Sequence, residues 1–148
     1  MMNRRTLLKS IPLSLAIFIG FTAFAKPGVF DPEDAELSGS VKINKGRIGY
    51  WKKNSSATYD LKKVKAGTYH VSISYAVDAK SGGLVSILLD GKTAGKFKVS
   101  NTGGWGKYKV ITVGPLKIEK EHSTLTITGV PDSQYLMNMG RVTLKKAK

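Results

Sequence analysis

The chain has 148 residues, a net charge of +14 and no cysteine. That length suits one domain with a real core rather than several. The lack of cysteine excludes disulfides, a thiol nucleophile and lipid attachment through an N-terminal cysteine, so the fold must be held by its core or by a metal.

Residues 1–25 read as an export signal rather than as structure. Arg4 and Arg5 make a positive start, an apolar run extends from Ile11 to Phe24, and Ala23-Phe24-Ala25 fits a small-x-small cleavage site before Lys26. The run is short for a membrane span, and no stop-transfer pattern follows it. Arg4-Arg5-Thr6-Leu7-Leu8-Lys9 also looks like a twin-arginine signal, with Leu8 where Phe is often found. Ordinary secretion and the twin-arginine route stay equally open. Either way the expected location is the periplasm or the cell exterior, with no membrane segment left after cleavage.

Three of the 24 basic residues and none of the 10 acidic ones lie in this segment, so the 123 residues that follow carry a net charge of +11. Such a balance favours anionic partners: acidic or sulfated polysaccharide, a cell-surface polyanion or nucleic acid. The lysines alternate along strand-like runs, as in Lys96-Phe97-Lys98-Val99 and Lys107-Tyr108-Lys109-Val110. That is first the pattern of a solvated sheet face and only second that of an anion site.

Residues 26–148 read as a single domain in which period-two alternation dominates and no amphipathic helix stands out. Leu37 to Ile43 and Ala57 to Val64 are the first two candidate strands, and Ala66-Gly67 turns the chain into a third. There Tyr69, Val71, Ile73, Tyr75 and Val77 share one face, opposite His70, Ser72 and Ser74. Leu84 to Leu89 is a denser apolar run, read as a deeply buried strand, and Asp90-Gly91 breaks it with a strong turn signal. Phe97 and Val99 mark the next strand. Tyr108, Val110 and Thr112 mark another, with Gly114-Pro115 as punctuation. Leu125 and Ile127 follow, then a turn from Gly129 to Asp132. The last strand carries Leu136, Asn138, Val142 and Leu144, and Lys145 to Lys148 read as a frayed tail. Many short strands with regular turns predict an all-β sandwich or barrel.

Thr102-Gly103-Gly104-Trp105 lies between two of these strands. The glycines allow a tight turn and place a large aromatic at a loop tip. Trp105 is then either a flat platform for a ligand ring or a cover folded back over one end of the core. Tyr50 is open in the same way, as a binding aromatic or a half-buried strand residue. Trp51, next to it, points to the opposite face and reads as core or rim. Asn138 sits between Met137 and Met139, where an unpaired amide is costly, so it either bonds the backbone or faces a cleft.

The order of these motifs resembles the carbohydrate-binding modules of families 6, 35 and 36. The similar segments are Asp31 to Gly39, Ile48-Gly49-Tyr50-Trp51, Ala66-Gly67-Thr68-Tyr69 running into Ser72 to Ala76, Thr102 to Trp105, and Leu136-Met137-Asn138-Met139. Together they span nearly all of residues 26–148. The resemblance implies a calcium-containing jelly roll with a ligand cleft at its loop end. It implies that Tyr50 and Trp105 stack on a sugar ring and that Asn138 hydrogen-bonds its hydroxyls. It also implies a calcium site using Asp31 and Glu33, but Gly140-Arg141 stands where the family supplies a further acid. The site is then lost, with Arg141 pairing with Glu33 in place of the ion, or its ligands come from elsewhere; a solvated acidic start is the alternative.

No catalytic constellation is visible. His70 and His122 stand alone, and no metal-ligand spacing, phosphate loop or nucleophile elbow occurs. A glycosidase needs two positioned carboxylates, and no acid stands in such a context. The expected protein is an exported non-catalytic module, a monomer, binding a poly- or oligosaccharide, anionic ones included, and not nucleic acid. The alternatives are a structural domain of the same fold with an unused cleft, and a polyanion binder driven by charge.

Overall fold

The computed structural model describes residues 27–148. The export-signal expectation for residues 1–25 lies outside the described residues. Eleven strands form the fold: β1 (Val29–Phe30), β2 (Glu36–Ser38), β3 (Lys42–Asn44), β4 (Arg47–Gly49), β5 (Ser56–Asp60), β6 (Gly67–Ala76), β7 (Gly83–Leu89), β8 (Lys92–Val99), β9 (Lys109–Ile118), β10 (Thr124–Pro131) and β11 (Asn138–Lys146). A 3₁₀ turn at Pro32–Asp34 interrupts them, and no helix among the described residues is long and apolar enough to cross a membrane.

The strands make two antiparallel sheets. One runs β3-β4-β11-β6-β9, with β1 also pairing β11; the other runs β2-β5-β10-β7-β8. β1 and β4 share one side of β11, at Val142–Thr143 and at Met139 respectively, while β6 takes the other side. The sheets pack face to face as a β-sandwich. Alternation supplies the core directly: Val71 and Ile73 from β6, Ile87 from β7, Ile127 from β10 and Val142 from β11 are all fully buried. Burying each such side chain is worth about 1.5–3 kcal/mol. Phe30 and Tyr59 bring their ring centroids to 5.1 Å, joining β1 of one sheet to β5 of the other.

The predicted face of β6 is found, with Tyr69, Val71, Ile73, Tyr75 and Val77 all buried. Asp90-Gly91 makes the β7–β8 turn with both φ angles positive, at 48° and 84°, as a two-residue hairpin of the right hand requires.

Several expectations need correction. The turn read from Gly129 to Asp132 lies mostly inside β10, which runs to Pro131, and Lys145 and Lys146 pair with His70 and Tyr69 in β11 instead of fraying. Leu37 to Ile43 is not one strand: the chain turns at Gly39-Ser40 and crosses from one sheet to the other. Leu84 to Leu89 is not buried throughout, because it is an ordinary two-faced strand with Val85, Ile87 and Leu89 inside and Leu84 exposed. Gly114-Pro115 does not end a strand, since β9 runs through it. The ladder slips there, with Gly114 and Pro115 of β9 opposite His70 alone on β6, and that bulge in β9 accommodates a residue with no N–H to donate. Tyr108, Val110 and Thr112 lie outward, with Val110 68% exposed, while Ile111 and Val113 pack on the core.

Candidate functional site

The ends of β6, β8 and β10 and the start of β11 lie at one end of the sandwich, and three segments border it. The first is the β3–β4 hairpin. Its turn, Lys45-Gly46, has φ of 53° and 74°, again the hand that suits a two-residue hairpin. Asn44 therefore lies directly across from Arg47. In β4 the alternation turns Ile48 into the core and leaves Arg47 and Gly49 on the other face.

After Gly49 the chain takes an unusual step. Tyr50 has φ of 63°, a left-handed conformation that costs a non-glycine residue of order 1 kcal/mol. The step separates the two adjacent aromatics. Tyr50 is 48% exposed, whereas Trp51 is fully buried, its Nε1 donating to Ile48 O at 2.9 Å. Ser40 clamps the bend: its Oγ donates to Tyr50 O at 2.6 Å and accepts from Lys52 N at 3.2 Å.

The second segment is the loop between β8 and β9. Thr102 is buried and holds the loop to the end of β6. Its Oγ1 accepts from Val77 N at 2.9 Å, and its own N donates to Val77 O at 2.9 Å. Asn101 Oδ1 accepts from Gly103 N at 2.8 Å, shaping the turn that leads to Trp105. Trp105 is partly buried and does not join the core.

The third segment is the β10–β11 connection, carrying Tyr135, followed by Asn138 at the head of β11. Tyr50 and Tyr135 meet edge to face, with centroids 6.2 Å apart and planes at 81°. Lys52 Nζ lies 5.7 Å from the Tyr135 ring centre, within range of a cation–π contact.

These segments enclose an open cleft of about 240 Å³, lined by Asn44, Arg47, Tyr50, Trp105, Tyr135 and Asn138, with Gly49 and Met137 in its wall. The structure thus brings Tyr50, Trp105 and Asn138 together. Asn138 does both of the things left open for it: it lines the cleft, and its Nδ2 donates to Trp105 O at 3.0 Å. Its Oδ1 lies 2.8 Å from where a Cβ on Gly49 would stand. Gly49→Ala is therefore expected to push the Asn138 amide out of place. The side-chain amide resonances of Asn138 should shift in NMR spectra while the far-UV spectrum stays that of a β-sandwich.

Arg47, Asn44 and Tyr135 were not expected. The signal for Arg47 was present, because alternation across Ile48 puts it on the same face as Gly49. Tyr135 lies between strands, where periodicity says nothing.

Asp31 and Glu33 are placed apart in role. Phe30 pairs with Val142 in the β1–β11 ladder, which sets Asp31 beside Arg141. Arg141 Nε donates to Asp31 Oδ1 at 2.8 Å, with both side chains about half exposed. The expected partner of Arg141 was Glu33; the 3₁₀ turn carries Glu33 away into solvent instead. Among the described residues no three His, Asp or Glu side chains converge as metal ligands.

A second groove, of about 360 Å³, is bordered by Asp34, Glu36 and Asp60. Asp34 accepts from Asp31 N at 2.8 Å and Asp60 from Lys62 N at 2.8 Å, so both shape turns. Burial pushes the adjoining Tyr59 phenol well above its ordinary pKa, with the Asp34 carboxylate adding to the effect. That phenol stays neutral at physiological pH.

A two-sheet β-sandwich with an aromatic cleft at its loop end is the form of a carbohydrate-binding module. The chain belongs to carbohydrate-binding module family 6, whose profile matches residues 26–146. Solved structures are similar at low identity. A family 6 module from Clostridium cellulolyticum in complex with xylose is 20% identical, with a TM-score of 0.68 over 80% of this chain and 96% of that one. A β-1,3-glucan-binding family 6 module from Bacillus halodurans is 19% identical, with a TM-score of 0.60 over 80% of this chain and 95% of that one. A family 35 module from Clostridium thermocellum is 16% identical, with a TM-score of 0.68 over 83% of this chain and all of that one. No curated protein sequence matches the chain significantly.

Proposed function

We propose that this protein is an exported, non-catalytic module that holds a sugar ring in the cleft between Tyr50 and Trp105, with Asn138 bonding the ring's hydroxyls. The observation that carries the reading is the convergence of these three side chains, from three separate segments, on one open cleft. Sugar rings present apolar C–H faces that suit aromatic planes, and an amide offers both a donor and an acceptor to hydroxyls. Tyr50 stands exposed on a bend that is locally unfavourable, a combination that serves the cleft better than the core. Among the described residues no Asp or Glu lines the cleft, which leaves it without the paired carboxylates of a glycosidase. The basic, apolar and small-residue pattern of residues 1–25 supports export to the periplasm or beyond.

A glycan array run at two salt concentrations tests this reading. Binding that survives high salt and fails on a cleft mutant supports stacking. Binding that vanishes with salt and ignores the cleft supports charge alone.

We also propose that the fold does without calcium. A guanidinium touches the Asp31 carboxylate, and a cation there repels a divalent ion, so this donor set does not fit the metal. A ligand that binds only the folded state raises its melting temperature by mass action. Millimolar calcium should therefore leave the melting temperature unchanged. A rise reversed by a chelator would return the site to Asp31 and Glu33.

A further inference from the structure

We infer that the cleft is built for an acidic sugar, and that Arg47 binds the carboxylate of a uronic acid whose ring lies on Tyr50 and Trp105. The inference deepens the proposed function and rests on it. Two arginines lie among the described residues. One, Arg141, is neutralised by Asp31 at 2.8 Å. The other, Arg47, lines the cleft, and no carboxylate among the described residues comes within ion-pairing distance of it. A guanidinium is a five-donor fork whose geometry matches a planar carboxylate in two parallel hydrogen bonds. Placed in a cleft with no acid in its lining, it is a recognition group in want of an anion.

The position agrees with the chemistry. Arg47 stands two residues before Gly49 on the same face of β4, and Asn44 lies opposite it in the hairpin. Both therefore border the edge of a ring seated on Tyr50, the next residue along. The carboxylate of a uronic acid projects from that edge, because it is bonded directly to a ring carbon. A sulfate ester hangs one oxygen further out, which carries its charge away from the ring edge that Arg47 borders. Lys52, over the Tyr135 ring at the rim, adds a second positive charge on the approach. The chain's surplus of basic residues raises the local concentration of an anionic glycan without choosing among glycans. The choice falls to Arg47.

The test pairs oligosaccharides of glucuronic, galacturonic and mannuronic acid with their carboxyl-reduced neutral counterparts, and adds a sulfated oligosaccharide. Affinities are measured by calorimetry in moderate and high salt. At least one uronate is expected to bind about ten- to a hundredfold tighter than its reduced partner, the size of a charge-assisted hydrogen-bond pair. The preference should persist in high salt. Arg47→Gln should bring the two affinities to within about twofold of each other, and Arg47→Lys should restore only part of the difference, since it returns the charge without the fork. An unchanged melting temperature excludes misfolding as the cause. Equal binding of acid and reduced forms, lost in Trp105→Ala, would overturn the role of Arg47 and leave the sugar-binding reading standing. Binding of the sulfated oligosaccharide alone, insensitive to Arg47, would also overturn it. Failure to bind any of these oligosaccharides would overturn the role of Arg47, while binding of another neutral glycan on the array would leave the sugar-binding reading standing.

Discussion

Replacing Trp105 with alanine is expected to weaken glycan binding by about 1–3 kcal/mol, taking base stacking on aromatic side chains as the guide to scale. The melting temperature should move by no more than about 3 °C, the equivalent of about 1 kcal/mol or less in a domain of this size. The reason lies in how the loop is held. Thr102 bonds Val77, Asn101 shapes the turn, and Asn138 bonds the Trp105 carbonyl. None of these contacts uses the indole, which lies outside the core cluster. Removing it takes away a surface and leaves its support in place. Calorimetric titration of wild type and variant, with a thermal melt of each, checks both halves. A melting temperature lowered by ten degrees or more, in a protein whose wild type binds nothing on the array, would make Trp105 a cover for the core and end the stacking account.

Trp51→Ala is expected to give the opposite result, a loss of about 3–5 kcal/mol of stability, as large-to-small changes of buried aromatics do. Trp51 is fully buried, its indole N–H bonds Ile48 O, and its own carbonyl accepts from Leu136 N at 3.0 Å. Against a total stability of about 5–15 kcal/mol this is about a fifth or more, so the alanine variant is a candidate for unfolding outright. Trp51→Phe keeps the problem measurable. It preserves most of the ring, removes the hydrogen bond to Ile48 O, and should cost about 1–3 kcal/mol. Urea unfolding followed by circular dichroism distinguishes the two, and an unchanged midpoint for both variants would contradict the packing described here. The two tryptophans of the chain thus separate binding from folding.

The sandwich was legible because alternation is a direct image of a sheet with one buried face. It was read well where the alternation is strict, as from Tyr69 to Val77. It misled where a strand bends or carries apolar residues on both faces. Leu84 is exposed although it opens a dense apolar run, because only every second residue of β7 points inward. β9 passes through Gly114-Pro115 because a bulge within β9 takes up the proline, and a bulge and a turn carry the same Gly-Pro signal.

The convergence of Tyr50, Trp105 and Asn138 followed from the order of motifs rather than from the physics of any one of them. Arg47 was within reach of the same alternation that placed Ile48 inside. Tyr135 was not, since its place depends on how the β10–β11 connection packs against Tyr50. The pairing of Arg141 with Asp31 rather than Glu33 turned on one ladder position, Phe30 against Val142, which no sequence spacing reveals.

The bond from Asn138 to the Trp105 carbonyl also decides when the cleft loses its freedom. A loop that orders only around its ligand gives up conformational entropy at the moment of binding, and that loss is subtracted from affinity. Here the loop is tied at Thr102 from one side and by Asn138 from the other, so its entropy is surrendered during folding. A glycan then meets a surface already in its bound shape. One Asn138 N–H is committed to this task, which leaves its carbonyl oxygen and its second N–H to greet the sugar. The amide at the head of the last strand is in this sense the preorganising element of the cleft, and the ligand inherits a site whose cost was met before it arrived.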